Sequence, residues 1–153
     1  MRVVIQRVAK ASVTLPREAH VSGSIGPGIL AMIGLQRDDT EASLEWMADK
    51  LTLLRIFPDQ NGKMNLSVLD IPNRAVLLVP NFTVGCEIGK GRRPSFDAAM
   101  PPDQAKVMFH ALVEKIAARG AAVQTGVFGA DMHVELCNDG PVTFVLESLS
   151  QSK

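Results

Sequence analysis

The sequence predicts an α+β domain: a curved, mostly antiparallel β-sheet or barrel packed with two main helices. Three observations lead there. Short Val- and Ile-rich runs follow one another near the N-terminus with Gly and Pro between them. Two later stretches carry apolar residues at steps of three and four, the spacing of a helix with one buried face. Strands and helices are unevenly distributed rather than strictly alternating, which separates this chain from a regular parallel α/β architecture.

Arg2 to Val8, Val13 to Leu15, Val21 to Ile25 and Ile29 to Ile33 read as short antiparallel strands, punctuated by Pro16, Gly23 and Gly26-Pro27-Gly28. Leu44, Met47, Leu51 and Leu54 then form the stripe of an amphipathic helix, for which Asp38 with Glu41 offers a capping box. The segment FPDQNGKMN, Phe57 to Asn65, carries the turn residues Pro58, Asn61 and Gly62. Val76 to Val79 is a dense apolar run suited to a central strand, with Thr83 just beyond it. Gly85 to Pro94 is glycine-rich and basic and reads as a loop. Pro101-Pro102 opens a second helix, in which Ala105, Met108, Phe109, Leu112 and Ile116 share one face before Gly120 stops it. Met132, Val134 and Leu136 alternate with His133 and Glu135, a half-buried strand that runs into NDGPVT, Asn138 to Thr143.

With 153 residues and neither an internal repeat nor a linker, residues 1–153 form one domain. A chain of this size buries roughly 70% of its unfolded surface. Hydrophobic residues at 46% and charged residues at 21% are ordinary for a globular protein. The formal net charge is zero, so contact with a polyanion requires a local basic patch rather than a global field. Arg2, Arg7 and Lys10 interrupt the opening apolar run and no stretch approaches the length of a membrane span. A cytosolic protein without membrane contact is expected. Cys86 and Cys137 are the only cysteines, with no CxxC and no histidine at ligand spacing, so neither a zinc site nor a disulfide framework is indicated.

His20, His110 and His133 are the only imidazoles, and each fits a structural position: a turn, a helix face, the outward side of a strand. Cys86 with a distant histidine and Asp131 could form a thiol hydrolase, on the weak support of a lone cysteine in a glycine-rich loop. No GxSxG, Walker loop, HExxH or GxGxxG is present. An enzyme lacking a recognisable side-chain base takes its chemistry from backbone dipoles, a cofactor or the substrate. Gly140-Pro141, standing before the apolar run Val142 to Leu146, is either a plain turn or a cis peptide whose successive carbonyls face one side. Lys90, Arg92 and Arg93 are either a solvated loop or a phosphate contact.

Five segments together resemble the D-aminoacyl-tRNA deacylase (D-tyrosyl-tRNA deacylase) family: QRVAKASV from Gln6, GSIGPGILAMIGL from Gly23, RIFPDQNGKMNLSV from Arg55, RRPSF from Arg92, and QTGVFGADMHVELCNDGPVT from Gln124. The resemblance implies a homodimer in which Gly140 and Pro141, joined by a cis bond, enter the partner's pocket and reject L-aminoacyl esters sterically. The implied partner is the aminoacylated 3′ end of tRNA, with glycyl-tRNA also admitted. Catalysis is implied to rest on the tRNA 2′-hydroxyl and on backbone groups around Asn81, Phe82 and Thr83, with no cofactor and no metal. Arg7, Phe96, Met132, Asn138 and Thr143 are implied to bind or border the substrate, and Lys90, Arg92 and Arg93 to meet phosphates.

The chain departs from the family at one motif. Where Ser-Gln-Phe-Thr-Leu is usual, it carries Pro80-Asn81-Phe82-Thr83-Val84. Pro80 lacks a hydroxyl and a backbone N–H, and Asn81 is one methylene shorter than glutamine. Thr83 is then either a positioning hydroxyl or a strand-end residue. The alternative function is a catalytically impaired paralogue that binds the aminoacylated end without turnover.

Overall fold

The computed structural model describes residues 1–89 and 91–148. In chain order its elements are β1 (Arg2–Leu15), β2 (His20–Ile25), β3 (Gly28–Gly34), α1 (Glu41–Leu53), β4 (Phe57–Pro58), β5 (Met64–Leu66), β6 (Ala75–Pro80), a 3-10 turn (Phe82–Gly85), α2 (Pro102–Ala118), β7 (Ala122–Thr125) and β8 (His133–Glu147). The sheet is mostly antiparallel, curved and nearly closed, as the composition of the strands suggests. β1 is its spine: β8 runs along one edge, while β3 and then β2 occupy the other, all antiparallel. Two parallel ladders extend the sheet, β3 with β6 and β6 with β7. Each returns through a helix-containing crossover, the connection that parallel strands require.

The two strands expected over Arg2–Val8 and Val13–Leu15 are one strand of 14 residues. Its alternation looks broken because Ala9 is an extra residue: Val8 faces Asn138 and Lys10 faces Cys137 across β8, leaving Ala9 unpaired. One inserted residue switches which side chains face inward. Val3 and Ile5 join the cluster under the helices, whereas Val8, Ala11 and Val13 fill the inside of the curl with Ile25, Leu30, Leu77 and Val79. β3 and β6 are covered on both faces, which is why they read as continuous apolar runs.

Leu44, Met47 and Leu51 of α1 and Phe109, Leu112 and Ile116 of α2 are buried against this sheet. Burial of each such side chain contributes about 1.5–3 kcal/mol. The capping box of α1 uses Thr40 and Ser43 rather than Asp38 and Glu41. Asp39 is engaged, its carboxylate accepting the Gln36 N–H at 2.7 Å, and the chain enters the helix at Thr40, two residues after Asp38. Lys115 and Arg119 of α2 tie to Glu45 of α1, and their hydrogen bonds hold the Glu45 carboxyl below the usual carboxylate range. The FPDQNGKMN turn is the β4–β5 hairpin. There the backbone N–H groups of Lys63 and Asn61 hold the Asp59 carboxyl below its ordinary range.

Two close approaches set the curvature. A Cβ on Gly28 would lie 2.0 Å from the Ala75 carbonyl oxygen, where β3 meets β6. One on Gly23 would lie 2.7 Å from the Thr125 carbonyl oxygen, where β2 comes against β7. Gly26, in the β2–β3 turn, has nothing within 4 Å of such an atom. Gly28→Ala is therefore expected to cost at least about 3 kcal/mol or abolish soluble expression, whereas Gly26→Ala stays within about 0.5 kcal/mol. Thermal melting of the two variants side by side checks this, and equal stabilities would refute it.

Candidate active site

β6 delivers the chain to a corner. Pro80 ends the strand, the Asn81 N–H donates to the Ile33 carbonyl at 2.8 Å, and the 3-10 turn Phe82–Gly85 begins. Asn81 caps that turn. Its Oδ1 accepts the Thr83 N–H at 3.1 Å and the Thr83 hydroxyl at 2.6 Å, while its Nδ2 lies 4.0 Å from the Met32 sulfur. The amide oxygen thus serves Thr83, while the Met32 sulfur is the one partner of the amide NH₂ among the described residues. Phe82, 62% exposed, packs against Phe96 with ring centroids 5.1 Å apart and the planes tilted by 59°.

Phe96 follows a short hairpin closed by reciprocal hydrogen bonds between Glu87 and Ser95, at 3.0 and 2.9 Å. The stretch expected as a loop has no strand among its described residues; it is entered through the 3-10 turn and held at its base by the isolated Glu87–Ser95 bridge. Arg92 and Arg93 are exposed between its two legs, whereas Lys90 lies outside the described residues. Beside Phe82 and Phe96 opens an apolar cavity of about 460 Å³, walled also by Ile33, Pro80, Met100, Phe109 and Phe128. Arg37 is its only charged lining residue among those described. Met132 stands nearby: a Cβ on Gly126 would meet its sulfur at 2.7 Å and the Pro80 ring at 3.5 Å. Phe128, Met100 and Arg37 carry no local signal of a site and join Pro80 only through the crossovers.

The second group of expected residues lies elsewhere. Across from β1, Gln6 pairs with Thr143 and Val8 with Asn138, so Arg7 alone faces four residues of β8, Asp139 to Val142. These form a large bulge rather than a turn before the strand. Val142, 5% exposed, pins it to the core, while Asp139, Gly140 and Pro141 are exposed. The Gly140-Pro141 peptide bond is cis. Arg7, 9% exposed, holds the bulge from beneath. Its guanidinium donates to the Ile56 carbonyl at 2.7 Å and the Asp139 carbonyl at 3.2 Å, and pairs with the Asp139 carboxylate at 2.8 Å. The Asn138 amide closes the base of the bulge, donating to the carbonyls of Arg7 at 2.9 Å and Val142 at 3.2 Å. The Gln6 amide donates to the Thr143 hydroxyl at 3.2 Å.

The two groups are far apart within one chain. Asn81 sits at the level of Ile33 and hence of Val3, four residues or about 13 Å of strand from Arg7, and β8 to β6 is three strand spacings, about 14 Å. The bulge and the Phe82 corner are thus about 20 Å apart along the sheet.

The thiol-hydrolase arrangement is not assembled. Asp131 pairs with Arg17 at 2.9 Å, and among the described residues no hydrogen bond joins the Cys86 sulfur to any of the three histidines. No cluster of three His, Cys, Asp or Glu side chains suited to a metal ion occurs among the described residues. None of their helices is long and apolar enough to cross a membrane.

Comparison with known proteins agrees with this architecture. The family profile described as D-Tyr-tRNA(Tyr) deacylase matches residues 4–147. A protein of Koribacter versatilis named D-aminoacyl-tRNA deacylase is 51% identical over 148 residues, covering 97% of each chain. One of Pelobacter propionicus with the same name is 48% identical, over 96% of this chain and 99% of its own. Among solved structures, one described as a c-Myc DNA unwinding element binding protein superposes with a TM-score of 0.89 at 39% identity, covering 97% of this chain and 99% of that one. A probable eukaryotic D-amino acid tRNA deacylase, at 18% identity and a TM-score of 0.83, shares the fold over 95% of this chain and 97% of its own. Conserved length, architecture and half of all residues converge on one assignment: this chain belongs to the D-aminoacyl-tRNA deacylase family.

Proposed function

We propose that the protein is a D-aminoacyl-tRNA deacylase, a hydrolase that cleaves the ester between a D-amino acid, or glycine, and the terminal adenosine of tRNA. The observation that carries this reading is the match of about half the residues, over nearly the whole length, to relatives bearing that name. Water adds to the ester carbonyl, the ester bond breaks, and the free amino acid leaves a tRNA with its terminal hydroxyl restored. Around the cavity the one charged residue described is Arg37, so no carboxylate, imidazole or thiol is placed to act as base. That favours a reaction assisted by the substrate's own 2′-hydroxyl and by backbone dipoles. Charged tRNA in the cytoplasm is the setting in which such an enzyme acts.

Selection in this reading belongs to the main-chain carbonyls of Gly140 and Pro141, presented to the cavity of a second copy. The support is geometric. The bulge is exposed, clamped from below by Arg7 and Asn138, and too far from the Phe82 corner of its own chain to reach it. β8 pairs with β1 alone among the described strands and exposes Val145 at 60% and Phe144 at 38%, apolar surface that a second copy would cover. Within the site so formed, an L side chain would be pushed against the carbonyl oxygens, a D side chain would point away, and glycine has nothing to reject. Arg92 and Arg93 on the hairpin beside Phe96 would meet tRNA phosphates.

Incubation with D-tyrosyl-, L-tyrosyl- and glycyl-tRNA is expected to clear the first and third esters well above the rate in buffer, and to spare the second. Binding of D-tyrosyl-tRNA without clearance would instead identify an impaired paralogue. In Gly140→Ala the new methyl lies 3.2 Å from Asn138 Oδ1, so the clamp must shift; the D-over-L preference is expected to fall about tenfold or more. An unchanged preference would remove the bulge from selection. Affinity for tRNA is expected to fall with salt at a shallow slope, reduced by about 1.4–1.8 in an Arg92→Ala, Arg93→Ala double variant that removes two phosphate contacts. A slope unaffected by that change would remove the hairpin from the tRNA contact.

A further inference from the structure

The first turns of α2 wall two hollows, not one. Ala105 and Phe109, four residues apart, line the apolar cavity. Asp103 with Val107, and Gln104 with Met108, share the same spacing on another side of the helix and line a separate open groove of about 540 Å³. That volume falls within the roughly 300–1,000 Å³ of small-ligand sites. Two residues border both hollows, Arg37 and Met100. A short antiparallel ribbon fixes them there, centred on the isolated Gln36–Ala99 bridge. In it the Arg37 N–H donates to the Ala98 carbonyl at 3.0 Å and the Met100 N–H to the Leu35 carbonyl at 3.1 Å. The groove is thus a continuation of the cavity, joined to it at Arg37.

The chemistry of the groove differs from that of the cavity. Arg37 is exposed, and among the described residues its guanidinium has neither a hydrogen-bond nor an ion-pair partner. Asp39 is committed elsewhere, to the Gln36 N–H at 2.7 Å and to the Met1 ammonium, and its side chain is only 2% exposed. Asp103 and Gln104 are exposed, and among the described residues their side chains make no hydrogen bond. Val107 is 70% exposed and adds apolar surface to that of Met100 and Met108. An unpaired guanidinium at the junction suits a phosphate. Apolar side chains suit the face of a base, and single-stranded RNA is read on the edges of its splayed bases. A carboxylate beside a carboxamide suits an edge that donates at one atom and accepts at the next. Cytosine has that edge, with its exocyclic amine beside a ring acceptor. Uracil reverses it.

We propose that this groove binds the nucleotide immediately 5′ of the terminal adenosine, the cytidine of the CCA end of tRNA. Arg37 takes the phosphate joining the two nucleotides, and Val107 and Met100 cover the base. Asp103 accepts from its amino group, and Gln104 donates to its ring acceptor. The inference rests on the deacylase reading, which brings an aminoacylated adenosine to the neighbouring cavity. It adds a site that reads the polynucleotide rather than the amino acid.

The test uses binding rather than turnover. Calorimetry on the intact protein compares the non-hydrolysable amide-linked D-tyrosyl-3′-aminoadenosine with the same compound extended on its 5′ side by a cytidylyl or a uridylyl group. The cytidylyl form is expected to bind at least about tenfold more tightly than the adenosine alone, and about tenfold more tightly than the uridylyl form, the discrimination of a good base contact. Asp103→Ala should bring the cytidylyl and uridylyl forms to equal affinity. Val107→Asp should remove most of the gain over the adenosine alone. Each gain is a ratio measured within one variant, so a general loss of stability does not mimic the result. Arg37→Ala should reduce the salt slope of the cytidylyl form by about 0.7, the share of one phosphate on a single strand. A cytidylyl form bound no better than the adenosine alone or the uridylyl form, or a preference that survives Asp103→Ala, overturns the proposal. The cytidylyl gain without clearance of D-tyrosyl-tRNA counts against the deacylase reading and supports the groove; clearance without the gain does the reverse.

Discussion

One guanidinium on β1 faces four residues of β8, and much of the molecule is arranged around that mismatch. Arg7 is almost fully buried, yet it sits in a strand whose neighbours are apolar. Its charge is tolerable because the Ile56 carbonyl, the Asp139 carbonyl and the Asp139 carboxylate take up its donors. In turn it ties three separate pieces of chain to one point: the spine of the sheet, the stretch before β4, and the excursion of β8. Without it, four residues standing out from an edge strand would have little to define their shape. With it and with Asn138 beneath, main-chain groups become a surface feature as well placed as any side chain.

The other half of the candidate site is built on a different principle. Around Phe82 the chain turns off the end of a doubly covered strand, so the apolar wall of the cavity continues the core. Polarity there is sparse and local: an asparagine capping a short turn and a threonine it holds. Such a surface can bind and orient an ester, but it brings little acid–base chemistry of its own. The two halves lie on one sheet, about 20 Å apart.

What could be read from the sequence was what is local. The stripe Leu44, Met47, Leu51 and the run Val76–Val79 declare themselves by spacing alone, and both helices and the central strand are found where that spacing places them. Gly140-Pro141 looked like a breaker before a strand because a linear reading cannot see that Arg7 stands opposite four residues, 132 positions away from Asp139. β1 looked like two strands because Ala9 resets the alternation and nothing in its neighbourhood says so. The capping box slid from Asp38 to Thr40 because the Asp39 carboxylate is taken by Gln36. Pro80, Met100, Phe128 and Arg37 come from four distant parts of the chain, and only the crossovers reveal that they share a cavity. The resemblance supplied the candidate residues; the fold supplied their grouping and their partners.

The tight seams at Gly23 and Gly28 have a bearing on lineage. A side chain at either place would collide with a main-chain oxygen of a neighbouring strand, whatever the protein does at its surface. Ancestry can therefore be traced through these bare positions long after enzymatic activity has been lost or exchanged. A descendant recruited to another task would still carry them, so their presence testifies to architecture and is silent about occupation.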